Sequence, residues 1–257
     1  MATRCTPDLV PRVLKVIADA GAALLAGGAE VARVEDTMQR LGKAYGVDPV
    51  EVIVLPTALF VNAPGGTVMR RIQRRAVNLA VVAAINQLSR DVSVAPLPLA
   101  ELEERLARAR EARRYPPWTV GLFAALAAAA LSQIFGARLV DMLPAAVSGG
   151  LTGWLRQVLK ATGLANPVGD MIAAMVAVAP ALAVSLARGP DAGIVVVSGI
   201  MVLTPGLLIT TAVRDGIQGD LLSSAARMLE ALLSAGAIAA GASLPLYLFF
   251  LGGGHLG

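Results

Sequence analysis

The sequence predicts a membrane α-helical bundle of five transmembrane helices, preceded by a small cytoplasmic α+β domain. Three observations point there. Of the 257 residues, 56% are hydrophobic but only 4% aromatic, and the excess is Ala, Val, Leu and Gly, residues that let helices approach closely in lipid. Charge is divided unevenly: residues 1–115 carry 16 Lys and Arg with 12 Asp and Glu, whereas residues 116–257 carry 6 of each kind. Five apolar stretches, near 118–137, 139–159, 168–187, 192–213 and 224–251, each approach the roughly 20 residues that a bilayer requires. The expected division is therefore a soluble domain over 1–115 and a membrane domain over 116–257.

In the first domain, residues 12–26 read as a helix with Val13, Val16, Ile17, Ala20 and Leu24 on one stripe, ended by Gly27-Gly28. The next helix places Val31, Val34, Met38, Leu41 and Tyr45 at spacings of three and four, with Arg33, Glu35, Asp36, Gln39, Arg40 and Lys43 on its other faces. After Gly46 the period changes. Glu51–Leu55, Ala58–Asn62 and Thr67–Gln73 read as two or three short strands including one hairpin, and the Ala63-Pro64-Gly65-Gly66 cluster with Asn62 reads as hairpin chemistry. A helix from Arg74 to Arg90, with Val77, Val81, Ala84 and Leu88 inward, is followed by Pro96 and Pro98. A charged helix over Leu99–Arg114 closes the domain.

Tyr115-Pro116-Pro117-Trp118 marks the boundary, since Trp and Tyr favour the headgroup level. In the second stretch, Gly149 and Gly153 stand four apart and could seat a neighbouring helix of this chain or of another protomer. Arg105 to Arg114, Arg156, Lys160, Arg214 and Arg227 fall on one side of the expected bundle, against Arg138 and Arg188 on the other. The positive-inside rule then puts the N-terminus in the cytoplasm and the C-terminus outside. No long apolar run precedes Gly27, so no signal peptide is expected.

Several chemistries have no residues to support them. Cys5 and His255 are the one cysteine and the one histidine, so neither an intrachain disulfide, nor a His-based triad, nor a His/Cys metal site can be built. There is no Walker-type loop, no Rossmann fingerprint and no HExxH pattern. Neither an enzyme nor a cofactor is expected, and the Arg-rich run before Trp118 is read as a contact for anionic lipid rather than for nucleic acid.

Candidate functional residues lie mostly in the second half. Thr204-Pro205-Gly206 interrupts the fourth span at mid-membrane depth. That frees backbone groups, which is how transporters build binding sites and also how helices kink for packing. Arg214, Asp215, Asp220, Arg227 and Glu230 form a charged segment. Arg227 and Glu230 are three apart, either as an interfacial pair or as intramembrane groups facing a polar interior. Asp141 and Asp170 near the starts of spans two and three either complement helix dipoles or form a proton or cation site. They also raise an intramembrane aspartyl protease, an idea that the Gly169-Asp170 dipeptide does not sustain. Glu30 is expected to cap a helix start, and it joins Arg33 and Glu35 as the candidates in the soluble domain.

Three stretches resemble the bacterial threonine/serine exporter family in its N-terminal, five-span module. They are Gly28-Ala29-Glu30 with Arg33-Val34-Glu35-Asp36-Thr37 and Tyr45-Gly46; the Leu99–Leu106 helix leading to Tyr115-Pro116; and Thr204-Pro205-Gly206 followed by Arg214-Asp215, Gly219-Asp220, Arg227, Gly236 and Gly241. The resemblance implies secondary export of threonine and serine across the bacterial inner membrane, driven by the proton motive force and without covalent chemistry. Relatives of the split kind pair a five-span chain with a four-span partner, one such pair being associated with succinate. The chain ends at His255-Leu256-Gly257 with no second membrane module, which implies a separately encoded partner or a homo-oligomer. A dicarboxylate exporter subunit is the close alternative, with more weight on Arg214 and Arg227. A membrane-anchored regulatory or scaffold subunit is the alternative of another class.

Overall fold

The computed structural model describes residues 9–72, 77–111, 115–186 and 191–254. Cys5, Arg74, Arg113, Arg114, Arg188 and His255 lie outside the described residues. The chain divides into two compact units, residues 1–113 with 209–228, and residues 114–208 with 229–257.

In the first unit, α1 (Val10–Ala26) and α2 (Val31–Ala44) pack closely: a Cβ on Gly21 would lie 2.2 Å from the sulfur of Met38. Between them the chain turns through a Schellman arrangement. The amides of Gly28 and Ala29 donate to Leu25 and Leu24 carbonyls, with Gly28 at φ +91°, a value that favours glycine. Strands β1 (Glu51–Leu55), β2 (Ala58–Ala63) and β3 (Gly66–Arg71) form an antiparallel meander, with Val52 opposite Val61 and Val61 opposite Val68. At its turn, Asn62 donates to Glu51 at 3.0 Å and accepts from the Thr67 hydroxyl at 2.8 Å. The sheet buries Leu59 and Val61 against Leu14, Ile17, Leu24, Val34 and Met38, and that apolar cluster is the core of the unit.

Helix α3 (Leu79–Val94) starts later than the expected Arg74 because Asn78 caps it, accepting the Val81 amide at 3.3 Å. Val77 therefore precedes the helix and is exposed, while Val81, Val82, Ile85 and Leu88 form the buried stripe. The helix stops before Ala95-Pro96, since the residue before a proline is pushed out of the helical region. Helix α4 (Leu99–Arg110) buries Leu102 and Leu106, and Glu101–Arg105 and Glu104–Arg108 pair one turn apart on its exposed side.

The second unit is helical. It contains α5 (Pro117–Ile134), a 3-10 turn over Leu139–Asp141, α6 (Met142–Ala161), α7 (Asn166–Leu186) and α8 (Ala192–Met201). It also contains the start of α9 (Gly206–Ile217) and most of α10 (Leu221–Leu251). Among the described residues, α5, α7 and α10 are long and apolar enough to cross a membrane, and α8 with α9 makes a fourth span if that pair, bent by 51°, is counted as one. Helix α6 has 20 residues, about 30 Å of rise. Ser148, Gly149, Gly150, Thr152, Arg156 and Gln157 lower its hydropathy.

The span expected over 192–213, interrupted at Thr204-Pro205-Gly206, is two helices, α8 and α9. Pro205 offers no amide to the ladder, and the turn closes through short bonds, Leu203 to Ile200 at 2.9 Å and Thr204 to Met201 at 3.1 Å. Gly149 and Gly153 seat a helix of this chain: a Cβ on Gly149 would sit 2.3 Å from the Ala128 Cβ, and one on Gly153 would sit 2.4 Å from the Ala124 Cβ. The α5–α6 contact is thus a small-residue seam.

Candidate functional site

The candidate residues fall into two clusters, one in each unit. In the first unit, Glu30 takes the N-cap position of α2 with an extended backbone, but its side chain makes no cap. The carboxylate instead pairs with Arg214, and with Arg33 at 3.6 Å. The first amide of α2, on Val31, donates to Asp215 at 3.1 Å. Across 184 residues of sequence, Asp215 does what Glu30 was expected to do.

Asp215 is fully buried, and its second oxygen lies 2.9 Å from Arg227 Nε. That contact is ionic rather than an aligned hydrogen bond, because Oδ2 has no hydrogen-bond partner by geometry. Arg227, itself buried, donates from Nη2 to the Ala29 carbonyl at 2.7 Å. Arg227 therefore pairs with Asp215, and not with Glu230 as the spacing on α10 had allowed. Such a pair repays its desolvation only because the amide of Val31 and the carbonyl of Ala29 complete it.

Glu35 and Asp220 border the same cluster. Burial pushes the Glu35 carboxyl above the usual carboxylate range, and the Asp220 charge adds to that shift. Burial, with Asp215 behind it, raises Asp220. Both groups bind a proton more readily in the folded than in the unfolded chain. Their contribution to folding is therefore fully present below the ordinary carboxylate pKa and is lost as pH rises through the raised folded values. Glu35→Gln combined with Asp220→Asn accordingly raises the melting temperature of the detergent-solubilised chain by about 1–2 °C near pH 7.5. The gain shrinks towards about pH 4.5. An equal gain at both pH values would contradict this reading.

In the second unit, Asp170 lies in the second turn of α7 and is 1% exposed. It receives Arg156 Nε of α6 at 2.6 Å on one oxygen, and Arg156 Nη2 at 3.3 Å and the Ser234 hydroxyl of α10 on the other. Asp170 thus serves as a junction of three helices rather than as a dipole complement. In sequence Arg156 marks topology alone, and Ser234 carries no signal beyond standing seven residues, two turns, after Arg227 on one face of α10. A small cavity of about 10 Å³ adjoins the pair, lined by Arg156, Lys160, Asn166, Gly169 and Asp170 among others.

Asp141, also buried, accepts the amides of Arg138 and Asp191, each at 2.7 Å. It ties the turn before α6 to the start of α8 and makes no cap for α6. Thr204 and Gly206 are exposed at the α8–α9 break. Leu203 anchors it in an apolar cluster with Ala173, Ala174 and Ile238. Among the described residues, no three His, Cys, Asp or Glu side chains are grouped to hold a metal ion.

Apolar helices around a buried aspartate–serine pair joined by a half-buried arginine, with one helix pair broken at a proline, define a multi-pass membrane protein with a polar interior. Residues 15–249 match the family model ThrE, described as "Putative threonine/serine exporter", and the chain belongs to that family. It is 26% identical over 251 residues to a "Probable threonine/serine exporter" of Mycobacterium tuberculosis, covering 95% of this chain and 46% of that one. It is 24% identical over 252 residues to the "Threonine/serine exporter" of Corynebacterium glutamicum, covering 93% and 52%. The chain thus spans about half the length of these two relatives. A "Probable succinate transporter subunit YjjP" of Escherichia coli is 24% identical over 247 residues, covering 94% of this chain and 96% of that one. No solved structure matches.

Proposed function

We propose that the chain is the five-span component of a secondary exporter of small polar amino acids, threonine and serine, in the bacterial inner membrane. The observation that carries this reading is the Arg156–Asp170–Ser234 junction, in which Asp170 and Ser234 are buried and Arg156 is half-buried, an expensive arrangement in an apolar unit unless something polar is moved there. Helix α6 is the fifth span. The soluble domain over 1–115 and the N-terminus are cytoplasmic, the C-terminus is outside, and the membrane domain runs over 116–257. Substrate passes near the Thr204-Pro205-Gly206 break, with Asp170 as the coupling carboxylate and the proton motive force as the driving gradient. Asp141 holds the scaffold of the same unit. Asp215 and Arg227, with Arg214 on Glu30, fix the start of α2. Arg33, Glu35, Asp220 and Glu230 supply the surrounding charge. A separately encoded four-span partner, or further copies of the chain, complete the path, as the doubled length of the exporter relatives supports.

A dicarboxylate exporter subunit is the second reading, favoured by the length match to the relative named for succinate. Counterflow of radiolabelled serine, threonine and succinate into proteoliposomes, with the chain alone and with a candidate partner, tests both. Exchange of serine and threonine by the pair is expected. Exchange of succinate alone selects the second reading, and no exchange of any of the three leaves the membrane-anchored scaffold.

A further inference from the structure

Resting on the exporter reading, we infer that Arg156 and Asp170 together form the recognition site for a zwitterion. The substrate carboxylate takes the place of Asp170 on Arg156, and the substrate ammonium takes the place of Arg156 on Asp170. The closed ion pair in the structure is then the empty state of the site. An arginine fork recognises any carboxylate in the same way, whether it belongs to a side chain or to a free amino acid. Arg156 holds Asp170 through two of its nitrogens, at 2.6 and 3.3 Å.

The two partners are unequally placed. The Arg156 side chain is 29% exposed and that of Asp170 only 2%, and both line the cavity, so the arginine is the more accessible partner while the carboxylate stays inside. Opening the pair is costly when the buried carboxylate is left alone. A zwitterion inserted between them leaves neither alone, since its two charges match the two it parts. Ser234 remains bonded to Asp170 from α10 and keeps that carboxylate in place as the pair opens. The cavity of about 10 Å³ holds no more than a water molecule, so loading requires α6 and α7 to part at this end.

Succinate presents a second carboxylate where the zwitterion presents an ammonium, and Asp170 repels it. Arg156 and Lys160 of α6 line the cavity beside Asp170, and α10 carries Glu230 one turn before Ser234. Helix α8 (AGIVVVSGIM) contributes no charged side chain.

The test is equilibrium binding to the purified full chain with its partner, using L-serine, N-acetyl-L-serine, L-serinamide and succinate as probes. Serine is expected to bind, and each probe lacking one charge of the zwitterion to bind about tenfold or more weaker. Arg156→Lys and Asp170→Asn each weaken serine by a similar factor. Retention of the wild-type melting profile by Arg156→Lys separates lost recognition from lost fold. Failure of wild type to bind or exchange any probe overturns the exporter reading. Serine binding that survives both substitutions within about twofold, or succinate binding tighter than serine, overturns the zwitterion site while leaving that reading standing.

Discussion

Asp215→Ala destabilises the chain by about 3–5 kcal/mol, and Arg227→Met does so to a similar extent, because each leaves a buried charge without its counter-ion. Asp215 and Arg227 expose 0% and 4% of their side chains, so water cannot solvate whichever partner remains. Losing Asp215 also strips the first amide of α2 of its acceptor, and losing Arg227 strips the Ala29 carbonyl of its donor. In a chain of this size the loss corresponds to a fall in melting temperature of roughly 10 °C. Asp215→Ala with Arg227→Met removes both charges, and it is expected to cost less than the two single changes summed. Arg214→Ala serves as the contrast. Its pairing with Glu30 is exposed on the arginine side, and exposed pairs contribute less than about 1 kcal/mol. Thermal melts of the five proteins in one detergent decide the matter. Single variants within about 1 kcal/mol of wild type, or a double variant that is strictly additive, would show that the pair does not hold the start of α2.

The residues that were legible in the sequence are those whose signal is local. The strand Glu51–Leu55 and the start of α2 at Val31 follow from period and flanking glycines, and the interruption at Pro205 follows from a missing amide. Asn78 could have been found, since an Asn just before an apolar helical stripe is an N-cap pattern. Val77 hides that signal, because it extends the apolar stripe by one more turn before Asn78. The links that build both clusters have no local signature. Val31 meets Asp215 across 184 residues, and Arg227 meets Ala29 across 198. Periodicity reports which face of a helix a side chain occupies, not which helix comes to lie against that face. Arg156 illustrates the limit. In sequence it is one basic residue near the end of an apolar stretch, which the positive-inside rule explains fully. Only the approach of α7 and α10 shows that its guanidinium points to Asp170 rather than to lipid headgroups.

Two glycines on α10 provide the second large contrast, on one helix with one substitution. A Cβ on Gly241 would lie 2.2 Å from the Met171 carbonyl oxygen and 3.0 Å from its carbon, both backbone atoms of α7. No side-chain rotation relieves that contact, so Gly241→Ala must push α7 and α10 apart. Such overpacking costs about 1–3 kcal/mol. The displaced helices are those that carry Asp170 and Ser234, so the change also strains their bond. At Gly236, five residues earlier, nothing stands within 4 Å of the added methyl. There the substitution replaces a poor helix former with the best one, and Gly236→Ala is expected to be neutral or to stabilise by up to about 1 kcal/mol. Melting temperatures of the two variants beside wild type give the comparison, and binding of serine reports whether the junction has moved. A Gly241→Ala protein as stable as Gly236→Ala would mean that α7 and α10 do not approach closely at Met171. The bond from Ser234 to Asp170 would then lose its structural support.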